Sequence, residues 1–334
     1  MRLKLLLAML VAFSTLVLAA GEITLVDQAG REVTLPEAPS RVASVYGVAT
    51  WYVYALGAGD LLVAARYLGI RGDPEAQALI EELDPGFHTR AVAGDITPEE
   101  LVARGTELVL GGAAKHAQFA ELLAEVGIPT LLYSPESVEG ILDAISLTGT
   151  ALGKDKEAAA LRGYFAVTVE RIAQATEGLP PEDRPRVMFC GTALLRVASG
   201  DMFQTELIAL AGGTSVGADL SGYWQEVNLE QVLAWNPQVI LIAPYGPVKP
   251  SDILEDPDWQ AIEAVKVGRV YKVPHFAAPW DVPLPDAALG LIWLADVLHP
   301  SLSGLDLAGE VRRFYRDFYG WELPEEVVTR ALGG

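Results

Sequence analysis

The stretch at 97–110, TPEELVARGTELVL, recurs in altered form at 228–241 as NLEQVLAWNPQVIL. This repeat predicts the order of the structural elements. Each stretch begins with a residue that caps helices and places a glutamate in the first turn. It then continues through a short apolar helix into an apolar strand. Glu99 and Glu230 suit the positive end of a helix dipole, so capping alone accounts for either one. Their recurrence predicts two equivalent lobes that each present a carboxylate at a matching place.

Strands and helices alternate on both sides of these stretches, which predicts parallel strands joined by helical crossovers. A long segment without proline separates the two halves and ends before Pro180-Pro181. The fold class we expect is α/β, with two Rossmann-like lobes and mainly parallel sheets joined by a single long helix. The predicted divisions are a signal peptide at 1–20, an N-terminal lobe at 21–152, a linking helix at 153–179 and a C-terminal lobe at 180–334.

The first 20 residues have the pattern of a secretory signal peptide. Arg2 and Lys4 precede an apolar run at 5–18, and small residues follow. The run is shorter than the roughly 20 residues that span a bilayer. No cysteine follows it, so we do not expect a lipoprotein. We expect an exported protein of the periplasm or cell-envelope space, soluble after the signal peptide is cleaved.

Composition narrows the possible partners. The chain has 334 residues, a formal net charge of −20 and 51% hydrophobic residues. Such an acidic chain repels phosphate backbones, which argues against a nucleic-acid partner, and its apolar content suffices for two cores. The single cysteine, Cys190, lies in an apolar run and is expected to be buried and inert. We expect a monomer with no intrinsic cofactor.

Aromatic and cationic residues gather where the predicted parallel strands end, which is the edge at which open α/β sheets bind ligands. The candidates are Tyr46, Trp51, Arg66, Tyr67, Lys115, His116, Arg196, Phe203, Tyr223, Trp224, Tyr245, His275 and Trp280. Core packing is an alternative explanation for each aromatic residue taken singly. Together, their position at strand ends predicts a pocket for a bulky, partly anionic ligand.

One catalytic motif matches literally. The sequence at 213–217, GTSVG, fits the nucleophile elbow of α/β-hydrolases with Ser215 as nucleophile, and Asp281 and His299 follow in triad order. That elbow requires a helix directly after the serine, whereas 218–222 has the composition of a loop. We therefore expect no enzyme and no catalytic residues.

Metal ligation has weak support. The four histidines are widely separated and fit no known spacing of zinc ligands. His116 and His275 are the best candidates, because each follows a predicted strand. A zinc-binding protein built from distant loops therefore stays open as an alternative, and we expect no metal bound directly by the chain.

The sequence resembles the iron–siderophore, haem and cobalamin class of substrate-binding proteins of ABC importers. The resemblance extends over essentially the whole chain after the signal peptide, and it is carried by several segments together. Those segments are 27–31, 33–36, 39–42, 56–63, 228–237 and 259–271. Residues 280–285 and 289–295 resemble a subgroup that is usually labelled iron-complex binding.

This resemblance implies a two-lobed protein that clamps its ligand and delivers it to membrane permease subunits, which an ATPase serves. One long helix joins the lobes in that class, so opening and closing are small. Glu99 and Glu230 would form salt bridges with arginines of the two permease subunits, with Glu100 as a competing choice in the first lobe.

The ligand implied is a ferric chelate of the siderophore type. Relatives of one subgroup carry molybdate or tungstate instead, and a corrinoid or haem is a further alternative. The cationic candidates suit a ferric chelate and an oxyanion alike: Arg66, Lys115, Arg196 and His275.

Overall fold

The computed structural model describes residues 21–68, 74–304 and 306–332. The predicted signal peptide at 1–20 lies outside the described residues. None of the helices within these ranges combines the length and the apolar composition that a membrane span requires.

The first lobe is built on a four-stranded parallel sheet in the order β4-β3-β5-β6, preceded by an antiparallel β1-β2 hairpin. Its strands are β1 (Ile23–Val26), β2 (Glu32–Leu35), β3 (Val42–Ser44), β4 (Leu62–Ala65), β5 (Leu108–Gly112) and β6 (Thr130–Tyr133). Its helices are α1 (Gly47–Ala55), α2 (Pro74–Leu83), α3 (Phe87–Arg90), α4 (Pro98–Ala103), α5 (Ala113–Glu125) and α6 (Val138–Ala151), with a 3₁₀ turn at Gly59–Leu61. Strands β3, β5 and β6 are buried along their whole length, as expected for a parallel sheet covered by helices.

Helix α7 (Asp155–Thr176) leads into the second lobe and confirms the long helix expected at 153–179. Gly153, with φ of +66°, ends the preceding helix in a left-handed conformation that favours glycine. Helix α7 packs against α6 of the first lobe and against helices of the second lobe. The exact lobe boundaries stay a prediction.

The second lobe contains a six-stranded mixed sheet in the order β10-β8-β7-β11-β12, with β9 also paired to β7. Its strands are β7 (Arg186–Cys190), β8 (Arg196–Val197), β9 (Thr214–Ser215), β10 (Gln225–Glu226), β11 (Val239–Ile242) and β12 (Val270–Lys272). Its helices are α8 (Phe203–Leu210), α9 (Leu229–Trp235), α10 (Pro250–Leu254), α11 (Glu263–Lys266), α12 (Ala287–Leu298), α13 (Pro300–Ser303), α14 (Leu307–Phe314) and α15 (Glu325–Ala331), with 3₁₀ turns at Pro181–Asp183 and Pro257–Trp259 and a π-helical turn at Tyr315–Tyr319. Cys190 is buried in β7, as predicted, and burial raises its pKa to about 12.

The predicted α/β class and two-lobed layout are confirmed. The short strands β8, β9 and β10 were not predicted. Each has two residues, which is too few to show the alternation of apolar and polar residues that indicates a strand. The segment after α12 was not predicted either. It forms α14, the π-helical turn and α15, and it returns to pack on the first lobe.

One apolar core runs through both lobes. The ring of Trp51 in α1 lies 6.5 Å from that of Tyr319, and the rings of Tyr54 and Trp321 are 5.9 Å apart. We call the segment 307–332 the C-terminal strap, because it closes over α1 from the second lobe. The lobes are therefore joined by packed aromatic side chains as well as by α7.

A buried carboxyl lies under the strap and predicts how stability depends on pH. Tyr315 and Tyr319 donate hydroxyl hydrogens to the two oxygens of Asp286. Burial raises the pKa of Asp286 more than these hydrogen bonds lower it, and the pKa lies at about 7. The native state thus keeps a proton that an unfolded aspartate releases near pH ~3.9. This group therefore stabilises the native state in acid. The free energy of unfolding falls by roughly 4 kcal/mol in total as the pH rises from ~3.9 to about 7.

Thermal unfolding at a series of pH values between about 4 and 8 checks this dependence. Asp286→Asn should flatten the fall in melting temperature towards neutral pH, because asparagine does not titrate. Asp219→Asn is the matched control at an exposed position, and it should keep the wild-type profile. Equal profiles for wild type and Asp286→Asn would contradict the assignment.

Candidate functional site

The first-lobe wall of the site is formed where β3 and β5 end. Tyr46 stands at the start of α1, and its ring centre is 6.3 Å from that of His116 on α5. Gly112 lies between them: its N–H donates to His116 Nδ1 at 2.9 Å, and an added Cβ would come within 3.1 Å of the Tyr46 ring. Burial lowers the pKa of His116, and the positive charges of Arg66 and Lys115 act in the same direction. The imidazole is therefore neutral at pH 7.

The second-lobe wall is formed by the loops after β7 and β11 and by β8. Tyr245 donates its hydroxyl to Asp281 Oδ2 at 2.9 Å. Arg196 Nε lies 3.9 Å from Glu226 Oε1, and Tyr223 is 54% exposed. Trp224 belongs to the same wall, with its ring against Gly191 and Phe189.

Glu136 connects these two walls. It follows β6 in the first lobe and is half-buried, and burial raises the pKa of its carboxyl. Burial is the main cause of the raised pKa of Tyr46 and of Tyr223, and the negative charge of Glu136 is the second. The same charge contributes to the raised pKa of Tyr245. The carboxylate of Glu136 is thus near enough to tyrosines of both lobes to raise their pKa, so the two walls face each other where the lobes meet, and we call the space between them the inter-lobe cleft.

Direct hydrogen bonds also join the two lobes. The Val138 N–H at the start of α6 donates to Glu206 Oε2 of α8 at 2.9 Å. The buried Tyr52 hydroxyl donates to the Pro283 carbonyl oxygen at 3.0 Å. The lobes are therefore in contact through polar groups as well as through the shared apolar core.

Glu136 was not among the residues that the sequence predicted for the site. The signal was present, since Glu136 follows a strand in the same way as the other candidates. It is a carboxylate, however, and the predicted pattern consisted of aromatic and cationic side chains.

Three of the predicted ligand-binding residues are corrected, because they are buried in the core. Trp51, Phe203 and Trp280 are at most 1% exposed, so their side chains pack in the core and touch no solvent in the cleft. The Trp51 Nε1–H donates to the Leu68 carbonyl oxygen at 3.3 Å. Tyr67 is half-buried, but its hydroxyl pairs with Tyr54 at 2.9 Å and its ring packs on Phe87, so it belongs to an aromatic cluster. We do not include the three buried residues in the binding surface, and the role of Tyr67 stays a prediction.

His275 lines a different space from His116. A cavity of about 240 Å³ lies between the end of β12, α2 of the first lobe and α15 of the strap, and none of the other ligand-binding candidates lines it. Within the described ranges, no group of three His, Cys, Asp or Glu side chains is placed to hold a metal ion. The zinc alternative therefore gains no support.

Ser215 lacks the surroundings of a hydrolase nucleophile. It ends the two-residue strand β9 and is followed by a turn. Its hydroxyl accepts from Thr205 Oγ1 at 3.2 Å, while His299 Nε2 pairs with the Gly212 carbonyl oxygen at 3.1 Å. The literal motif is therefore not an elbow, and the residues of the suggested triad are engaged elsewhere.

The two repeated glutamates occupy equivalent positions. Thr97 and Asn228 cap their helices by accepting N–H groups at 3.2 and 2.8 Å, which puts Glu99 and Glu230 at the second helical position of α4 and α9. Glu100 is one residue further on, and its carboxylate binds Arg104 at 2.8 Å. Glu99 and Glu230 are exposed, and neither forms an ion pair within the described part of the chain. Glu99, rather than Glu100, thus matches Glu230.

Residues 90–275 match the family model described as periplasmic binding protein. The match spans more than half of the chain, and the chain belongs to this family. The class expected from the sequence is thereby confirmed.

Individual relatives cover the chain to different extents. It is similar to the molybdate-binding protein MolA of Haemophilus influenzae, with 25% identity over 96% of this chain and 97% of that protein. A vitamin B12-binding protein of Yersinia pestis is 29% identical over 63% of this chain and 72% of its own length. A periplasmic solute-binding protein of Veillonella parvula has a similar structure, with a TM-score of 0.81, 25% identity and coverage of 93% of this chain and 96% of that one.

Proposed function

We propose that this protein is the exported substrate-binding component of an ABC importer and that it captures a metal complex in the inter-lobe cleft. The observation that carries the proposal is the set of groups that meet there. Tyr46 and His116 face the cleft from one lobe and Tyr223 and Tyr245 from the other, around Glu136. Aromatic faces with a few well-placed polar groups suit a bulky ligand held between two surfaces.

A ferric chelate is our first choice of ligand. Its organic periphery offers apolar surface to the tyrosine rings and to Trp224, and Arg66, Lys115 and Arg196 supply positive charge for acidic groups at its rim. A bare oxyanion in the same place would approach the carboxylate of Glu136, and like charges at close range repel.

Molybdate is the second candidate, with tungstate as its close analogue. The specific support is the similarity to the molybdate-binding protein MolA over almost the full length of both chains. The same three cations would compensate an oxyanion. A corrinoid is supported over a shorter part of the chain by the vitamin B12-binding relative.

Native mass spectrometry and isothermal titration calorimetry of residues 21–334 test this function. The ligands to offer are a ferric catecholate, a ferric hydroxamate, haem, cobalamin, molybdate and tungstate. We expect saturable one-to-one binding of a ferric chelate. If the folded protein binds none of the six, the proposal is wrong.

Glu136→Gln separates a chelate from an oxyanion. The substitution removes an ionisable carboxyl from the cleft, so an oxyanion should bind at least about tenfold more tightly. A chelate held mainly by aromatic faces should change by less than about threefold. Glu139→Gln is the matched control, because Glu139 is exposed on the first turn of α6. If Glu136→Gln binds molybdate more tightly than it binds any of the chelates, the second candidate is favoured.

We further propose that Glu99 and Glu230 dock the loaded protein on the permease. They are exposed, they stand at equivalent positions on the two lobes, and basic side chains within the described ranges do not neutralise them. A monomer would present both to one membrane complex.

A further inference from the structure

We propose that docking on the permease has an apolar component, carried by Val102 in the first lobe and Leu233 in the second. The partner surface would then present, twice, a cationic group beside an apolar pocket. This inference rests on the docking role proposed above for Glu99 and Glu230, and it adds the kind of surface that receives them.

The two helices that carry these residues, α4 and α9, match at four positions. Each has a polar cap, an exposed glutamate at the second position, a fully buried apolar residue at the fourth and an exposed apolar residue at the fifth. The fourth residues are Leu101 and Val232, both 0% exposed, whereas Val102 is 51% and Leu233 is 38% exposed.

The geometry of a helix explains why this pattern makes a surface. Residues three apart lie on the same face, so Val102 stands beside Glu99 and Leu233 beside Glu230. The residue at the fourth position points away from that face and is buried against the lobe, which fixes the rotation of each helix. The carboxylate and the apolar side chain are therefore presented together to solvent.

Two other exposed apolar residues on helices lack this arrangement. Leu122 on α5 is 49% exposed and Val167 on α7 is 63% exposed, but neither has a carboxylate one helical turn before it. Single exposed apolar side chains are ordinary on protein surfaces. The same carboxylate–apolar pair on both lobes is not explained in that way.

Charge and duplication define the partner. Two unneutralised carboxylates require cations opposite them, and apolar side chains next to them require apolar pockets within the same contact. Because the two lobes present the same pair, the partner carries two similar surfaces. Two copies of one permease subunit, or two similarly built permease halves, provide them.

The test is binding of the ligand-loaded Val102→Ser/Leu233→Ser variant to the cognate permease–ATPase complex in lipid nanodiscs. We expect affinity to fall at least about tenfold, while the dissociation constant for the ligand stays within about threefold. Leu122→Ser/Val167→Ser is the matched control and should bind as wild type does. Val102→Ile/Leu233→Met should also retain binding, which separates lost contact from lost folding.

Salt provides a second readout. Ionic contacts weaken as ionic strength rises, whereas apolar contacts do not. In about 0.5 M salt, where the Debye length falls to roughly 4 Å, wild type should keep measurable binding that Val102→Ser/Leu233→Ser loses. If that variant binds as wild type does while Glu99→Ala/Glu230→Ala fails, the apolar component is wrong and the docking role stands. If both variants bind as wild type does, the docking role fails as well.

Discussion

Replacing Glu99 and Glu230 together by alanine is expected to abolish import while ligand affinity stays within about threefold of wild type. The two carboxylates lie on exposed helix turns and cap no other side chain of the walls described above, so their loss should remove contacts to the partner and leave the tyrosine walls in place. The measurement is ligand uptake into proteoliposomes that contain the permease–ATPase complex, with calorimetry of ligand binding in parallel.

Glu100→Ala/Gln231→Ala is the matched control for this double variant. These residues come directly after Glu99 and Glu230, and Glu100 is already paired with Arg104. Exposed ion pairs of this kind contribute little to stability, so the control should transport normally. Equal loss of uptake and of ligand binding in Glu99→Ala/Glu230→Ala would mean that the glutamates are structural.

Trp51→Ala is expected to lower the free energy of unfolding by about 3–5 kcal/mol, the range found when a large buried aromatic side chain is removed. Trp51 is 0% exposed, and its ring lies close to Tyr54, Tyr67 and Tyr319. The substitution leaves a cavity at the place where the C-terminal strap meets α1. Chemical denaturation followed by circular dichroism measures the change.

Tyr223→Ala is the comparison for Trp51→Ala, because both were ligand-binding candidates on sequence grounds. Tyr223 is largely exposed, so its removal should change stability by less than about 0.5 kcal/mol. It should instead weaken ligand binding. A stability loss as large as that of Trp51→Ala would place Tyr223 in a structural role.

The fold was predictable because its strongest signals are local. Buried parallel strands are continuous apolar runs, and the glycines that end the helices are visible in the sequence. The strap was not predicted, since its aromatic residues contact partners from the other end of the chain.

The candidate site was predictable only in part. Strand ends point to Tyr46 and His116, which the structure brings together, but the residues just beyond Tyr46 belong to α1, which is buried from Val48 to Ala55. A helix with apolar residues on every side has no phase that separates inward from outward positions. Trp51 could therefore not be distinguished from a cleft residue. The equivalence of Glu99 and Glu230 was readable because a capping residue fixes the helical positions of the residues after it.

The C-terminal strap has a consequence for how this chain becomes native. The core around Trp51 is completed by Tyr319 and Trp321, which lie far downstream in the sequence. Contacts between such distant parts of a sequence slow folding, because the intervening chain must first be ordered. The core of the first lobe is consequently incomplete until the C-terminal strap has been made. For a chain exported as proposed, this delay favours an unfolded polypeptide that is competent for translocation.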